Sequence, residues 1–245
     1  MNAYDLIIPT KTADVSGNVD SKTDKPKPVV PPYFDITFKL AYAILIAASF
    51  FTFYGAVAVK STGPRTVLIL ECIISSIACT IYYFMSNAVH GKVASGEPIE
   101  WSDVVQLRYL DWSFTTPLLL VSLCLILGAG AAIKVAVLAA VVVLDLIMLY
   151  IGYLGETGKW SKSVACILGF IPMFGVFFIL YTAYLAKSSA KMNKLVFWMY
   201  VILWSGYGAA YLLDDVTKNT AMNLLDSVAK GAIGIGLTAN YLKLV

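Results

Sequence analysis

An all-α membrane protein, a bundle of seven transmembrane helices, is the fold class this sequence predicts, and three observations predict it. The 245 residues are 59% hydrophobic and only 13% charged, with a mean hydropathy of +0.78; a soluble globular domain carries roughly twice that share of charge. Seven segments reach the ~20 mostly apolar residues that a spanning helix needs: 34–59, 65–89, 102–127, 131–154, 161–186, 192–215 and 219–243. The breaks between them fall at Gly, Ser, Lys and Pro clusters. Most are short, which favours neighbouring helices packed antiparallel.

The first 32 residues differ in kind. Asp, Lys, Thr and Pro dominate, ending in Lys25-Pro26-Lys27-Pro28 and Pro31-Pro32. This composition predicts an exposed, extended arm ahead of a helical domain over 33–245. It lacks a basic stretch followed by an apolar core, so no cleaved leader is expected and the first span serves as the insertion signal. The four cysteines, Cys72, Cys79, Cys124 and Cys166, lie inside apolar runs with no metal-ligand or paired spacing. They read as small buried hydrophobes, and no metal site is expected. A net charge of +3 suggests no nucleic-acid partner.

Loop charge sets the expected orientation. The loops after spans one, three and five, with the C-terminal tail, carry Lys60, Arg65, Lys134, Lys187, Lys191, Lys194 and Lys243 and no acid. Those after spans two, four and six hold Glu97, Glu100, Asp103, Glu156, Asp214 and Asp215 against four lysines. Basic loops stay on the cytoplasmic side. The N-terminus is therefore expected outside and the C-terminus in the cytoplasm.

Few ionisable residues remain at depth: Glu71, Arg108, Asp111, Asp145, Asp226 and Lys230. Lys39, near the outer end of span one, reads as a snorkelling side chain. A charge inside a membrane helix is rare and marks a functional site by default. Lys230 lies in the apolar stretch Leu224–Leu237, one turn after Asp226, and an amine in a dry pocket is a nucleophile for an aldehyde. Span three reads Arg108-Tyr109-Leu110-Asp111-Trp112-Ser113-Phe114-Thr115-Thr116-Pro117. Arg108, Asp111 and Thr115 recur at helical spacing on one face, and Ser122 follows on that face about three turns later, roughly 16 Å. Spacing alone allows two readings: a functional centre, or a polar ladder that holds the bundle together.

The span-three string, with the Asp226…Lys230 pair, resembles the microbial (type 1) rhodopsins over nearly all of 34–243, in particular the proton-pump type of proteorhodopsin and bacteriorhodopsin. Trp204-Ser205-Gly206-Tyr207 with Tyr211 in span six, Asp145, Met148 and Gly152 in span four, and Met173 in span five match as well. The resemblance implies all-trans retinal bound to Lys230 as a protonated Schiff base, in a pocket that also includes Thr116 and Leu119. Trp112, Trp204, Tyr207, Tyr211 and Met148 would pack around the polyene. Asp111 and Asp226 would supply counter-charge, with Arg108 keeping both ionised. Thr115 would hydrogen-bond the Asp111 carboxylate, and Tyr82 would sit in the counterion region or at the membrane interface. Asp145 is expected beside Thr116, shaping the far end of the pocket, and Leu119 implies green absorption. The implied partners are the lipid bilayer, protons and further copies of the chain as a trimer or pentamer; no transducer is evident.

Among subfamilies, Asp111-Thr115-Ser122 favours a light-driven outward proton pump with Asp111 as primary acceptor, a transporter rather than an enzyme. Chloride and sodium pumps are disfavoured by Asp111 and Thr115. Ser122 departs from the pattern, because pumps usually carry a carboxylic donor there. Glu71 is the candidate replacement, the competing reading being a span-end glutamate that reaches the headgroups. A sensory photoreceptor and an inward pump remain as alternatives. Gly208 stands where many relatives carry Pro, so the span-six kink is expected to differ. His90 is expected to be a solvated loop residue, and Asp214 and Asp215 exposed loop acids.

Overall fold

A computed structural model describes residues 30–31, 33–128, 134–186 and 190–244. Seven antiparallel spans form a closed bundle: α1 (Tyr33–Ala58), α2 (Thr62–Ser95), α3 (Trp101–Leu127), α4 (Val135–Glu156), α5 (Lys162–Leu180), α6 (Lys191–Tyr211), and a seventh made of α7 (Asp215–Asp226) and α8 (Ile233–Tyr241). Between α7 and α8 the chain stays helical but widens into a π-helical turn, Ser227–Ala232, which contains Lys230. A second π turn, Tyr181–Leu185, closes α5. Such turns are rare and concentrate at functional sites. The bundle therefore has an N-terminal end, where α1, α3, α5 and α7 begin, and a C-terminal end, where α8 finishes.

Five of these helices, α1 to α4 and α5 with its π turn, are long and apolar enough to cross a membrane by composition alone. The sixth and seventh spans fall short of that measure: α6 is rich in Lys, Trp and Tyr, and the π turn divides the seventh into helices of 12 and 9 residues. Their outward faces still match the rest. Phe50, Phe53, Ile147, Ile167, Phe178 and Ile202 are exposed large apolar residues, as lipid contact requires.

Several boundaries differ from the hydropathy reading. Span two continues to Ser95 and stops at Gly96, whose φ of 70° caps the helix in the left-handed region. Span six stops at Tyr211, because the Asp214 side chain accepts from the Thr217 amide at 3.0 Å and starts α7. The N-terminal arm and Lys187 lie outside the described residues apart from Val30 and Pro31. Val30 is buried beside Phe34 and Phe38, so the arm's last residues pack against the bundle. The four cysteines are free.

The N-terminal end holds ion pairs that spacing did not reveal. Lys218 is 1% exposed and donates to both oxygens of Glu156 (3.0 and 2.8 Å) and to Asp215 (2.8 Å), with Lys162 3.5 Å from Glu156. Glu156, counted among the loop acids, and Asp215, expected as an exposed loop acid, thus tie α4, α5 and α7 together. His90 is also corrected: it lies on α2, not in a loop. Its Nδ1 is 2.8 Å from the buried Asp35 and 3.0 Å from Lys39. Lys39 is not merely snorkelling, since it donates to Asp35 at 2.6 Å.

Candidate functional site

The interior charges converge at mid-bundle. Lys230 Nζ hydrogen-bonds Asp111 Oδ2 and lies 3.2 Å from Asp226 Oδ1. All three residues are at most 1% exposed. Arg108, buried one turn from Asp111, reaches Asp226 Oδ2 at 3.4 Å. Two cations face two carboxylates, so the cluster is neutral. That matters because an unpaired ion in the membrane interior costs roughly 3 kcal/mol or more, and removing one member of a buried pair leaves the other uncompensated.

The two carboxylates are not equivalent. Asp226 accepts from Tyr82 (2.7 Å), Tyr207 (2.6 Å), Trp112 Nε1 (3.4 Å) and Arg108. Asp111 accepts from Lys230 alone among the described residues, and its Oδ1 is buried with no hydrogen-bond partner. Donors stabilise a carboxylate's charge and occupy the lone pairs a proton would need. Asp111 therefore keeps a buried oxygen without a partner, while both oxygens of Asp226 are occupied. Thr115 does not help it as expected. Its hydroxyl donates to the Asp111 backbone carbonyl at 2.9 Å, the usual i−4 bond of a helical threonine.

Arg108 is fixed from the other side, donating to Asn219 (3.0 Å), Asn223 (2.8 Å) and Tyr82 (3.1 Å). Its reach toward the N-terminal end thus meets neutral amides of α7.

From Lys230 a cavity extends between α3, α4, α5 and α6. Trp112, Thr116 and Leu119 line it from α3, Met148 and Gly152 from α4, Met173 from α5, and Trp204, Tyr207 and Tyr211 from α6. Gly152 is needed where it stands: a Cβ there would meet the Tyr109 hydroxyl at 2.6 Å. Gly208 similarly admits the Phe170 ring, 2.4 Å from where its Cβ would be; this packing occupies the position at which relatives were expected to carry Pro. Two residues expected in the pocket stand behind its wall. Asp145 accepts from Thr116 at 2.6 Å, and Tyr82 faces Asp226. Tyr109, Leu149, Phe170 and Met222 line the cavity unforeseen. Tyr109 and Phe170 sit one turn from Trp112 and Met173, so helical periodicity could have found them.

On the C-terminal side of Lys230, the Ser122 hydroxyl donates to Glu71 Oε1 at 2.5 Å, and both residues are fully buried. Glu71 therefore reaches into the bundle and not toward the headgroups.

A largely apolar cavity that includes a buried amine with paired counter-charge suits an apolar aldehyde. Fold and site together define a retinal-binding, seven-helix integral membrane protein. Residues 33–244 match the family described as Bacteriorhodopsin-like protein, and the chain belongs to that family, whose members carry retinal as chromophore. The chain is 29% identical over 219 residues to the green-light absorbing proteorhodopsin of Gamma-proteobacterium EBAC31A08, covering 83% of this chain and 84% of that one. It is 25% identical over 198 residues to bacteriorhodopsin of Halobacterium salinarum, covering 74% and 70%. The crystal structure of viral rhodopsin OLPVRII superposes with a TM-score of 0.77 at 29% identity, covering 86% of this chain and 99% of that one. Xanthorhodopsin, a light-driven ion pump with dual chromophore, shares the fold with a TM-score of 0.73 at 20% identity, covering 89% and 96%.

Proposed function

We propose that the protein is a light-driven outward proton pump, with Lys230 as the retinal attachment site, Asp111 as the primary proton acceptor and Asp226 as a permanent counter-charge. The observation that carries this reading is the asymmetry of the two carboxylates, one saturated by donors and the other bonded only to Lys230. Bound at Lys230, retinal supplies a light-driven isomerisation that loosens the proton on the Lys230 nitrogen. Asp111 Oδ2 is hydrogen-bonded to the Lys230 nitrogen and is placed to receive that proton. Asp226 cannot easily compete, because Tyr82, Tyr207, Trp112 and Arg108 hold its charge in place. Asp111 lies toward the N-terminal end, and the basic loops at the C-terminal end support placing that end in the cytoplasm. Transfer to Asp111 is then an outward step. The similarity to green-light absorbing proteorhodopsin and to bacteriorhodopsin supports a light-driven proton pump of this family.

Refilling falls to Glu71. Among the described residues no cation lies within ion-pair distance of it, and a buried unpaired charge is costly, so Glu71 keeps its proton in the resting state. It lies on the C-terminal side of Lys230, opposite Asp111. Uptake and release therefore use different faces of Lys230, which is what makes the transport vectorial. Replacing Glu71 with Gln removes a general acid, and recovery of the resting state is expected to slow roughly 100-fold. Flash photolysis measures this; unchanged recovery at all pH values would remove Glu71 from the route.

The direction is tested by illuminating unbuffered cells that hold the protein and retinal while recording external pH. Acidification abolished by a protonophore is the expected result. Alkalinisation would instead indicate an inward pump, and a flat trace a sensor.

A further inference from the structure

The route from Glu71 to Lys230 has a second, unassigned participant. Ser75 follows Glu71 by one turn on the same face of α2. It is fully buried, and its hydroxyl donates to the backbone carbonyl of Lys230 at 3.1 Å. This bond joins α2 directly to the π turn that carries the Lys230 side chain.

Glu71 itself points two ways. Oε1 accepts from Ser122, while Oε2 is buried with no hydrogen-bond partner. With Oε1 engaged by Ser122, Oε2 is the oxygen left free to carry the proton of the neutral carboxyl. That other oxygen, Oε2, lies 3.6 Å from the position a Cβ on Gly234 would take. Gly234 is one turn beyond Lys230, so the available proton faces the seventh span and not α3. The Tyr200 hydroxyl is also buried, with no hydrogen-bond partner among the described residues. The Thr52 hydroxyl is committed to the Ala48 carbonyl at 2.7 Å. Ser75 is thus the side chain that binds the donor helix to the residue being refilled.

We propose that Ser75 is a positioning residue of the refilling step: by tying the Lys230 carbonyl to α2, it holds the π turn against the helix that carries Glu71, so that the proton on Glu71 Oε2 reaches Lys230 Nζ along the seam between α2 and the seventh span. In this step the O–H bond of Glu71 breaks and an N–H bond forms at Lys230. Glu71 is left as a carboxylate that regains a proton from the cytoplasmic side. The proposal rests on Glu71 being the donor, and the test separates the two.

Full-length protein carrying Ser75→Ala, Ser75→Thr, Glu71→Gln or the Ser75→Ala/Glu71→Gln pair is reconstituted with retinal and followed by flash photolysis. Losing one positioning hydrogen bond is expected to slow refilling roughly tenfold in Ser75→Ala, while transfer to Asp111 keeps its rate. Ser75→Thr, which keeps the hydroxyl, restores refilling. The double variant is no slower than Glu71→Gln alone, since both act on one route. A readout without retinal accompanies these: amide hydrogen exchange across residues 227–234 is faster in Ser75→Ala than in the parent chain. Wild-type refilling in Ser75→Ala alongside slow Glu71→Gln would overturn the role of Ser75 and leave Glu71 standing. Wild-type refilling in Glu71→Gln would overturn the donor itself. Slower refilling in the double variant than in Glu71→Gln would place Ser75 outside that route.

Discussion

Lys230→Ala is expected to give a protein that acquires no visible absorption band when retinal is added, whereas the parent chain turns coloured and absorbs green light. The amine is the one nucleophile that lines the cavity with counter-charge in contact, bonded to Asp111 and 3.2 Å from Asp226. Nothing else on the wall replaces it: the other polar side chains there are hydroxyls, a thiol, two indoles and the Asp226 carboxylate. Alanine also leaves two buried carboxylates facing Arg108 alone, and such a change destabilises a fold by about 3–5 kcal/mol. Lys230→Arg therefore accompanies it. Arginine keeps the positive charge but stays protonated, so it supports the fold while offering no free amine. A visible band in a folded Lys230→Arg protein would refute the assignment.

Asp111→Asn is expected to abolish light-driven transport and to shift absorption to longer wavelength. Loss of the group that receives the proton removes a step worth a factor of roughly 100 or more. The colour change follows from electrostatics: with the nearest negative charge gone, positive charge at the Lys230 nitrogen is held there less tightly and spreads along the chromophore. Asp111→Glu, which keeps the carboxylate, should retain transport. Asp226→Asn differs in kind, since it removes the charge opposite Arg108 and puts an NH2 donor in place of one of the two oxygens that accept from Tyr82, Tyr207 and Arg108, and it is expected to lower thermal stability as well. Spectra at fixed pH and thermal melts of the three variants separate these effects. Transport at the parent rate in Asp111→Asn would remove Asp111 from the route.

How far the sequence carried these conclusions depends on the residue. Lys230, Asp226, Asp111 and Arg108 could be read directly, because charges inside apolar runs are few and helical spacing places them on shared faces. Glu71 could be matched with Ser122 through the family resemblance: with span two aligned on Tyr82, Glu71 falls at a position facing the family's donor site, which Ser122 occupies here. The pair of Lys218 and Glu156 could not. Each sits near a span end, 62 residues apart, and only the folding of α7 beside α4 and α5 shows that their charges are buried. Asp35 with His90 was hidden for the same reason. Thr115 misled because a helical threonine has a carbonyl of its own within reach, and that local bond won over the carboxylate. The π turn at Lys230 leaves no mark in hydropathy or spacing, so the Ser75 contact that depends on it was invisible. Seven spans were legible, but their ends were not: caps such as Gly96 and Asp214 act through backbone geometry, which hydropathy does not record.

The most direct test of the central claim is the stationary photocurrent of the retinal-bearing protein at zero membrane potential and with no proton gradient. A pump whose proton leaves Lys230 through Asp111 and returns through Glu71 sustains an outward current for as long as the light is on. A sustained inward current, or a transient that decays to zero under continuous light, would contradict it.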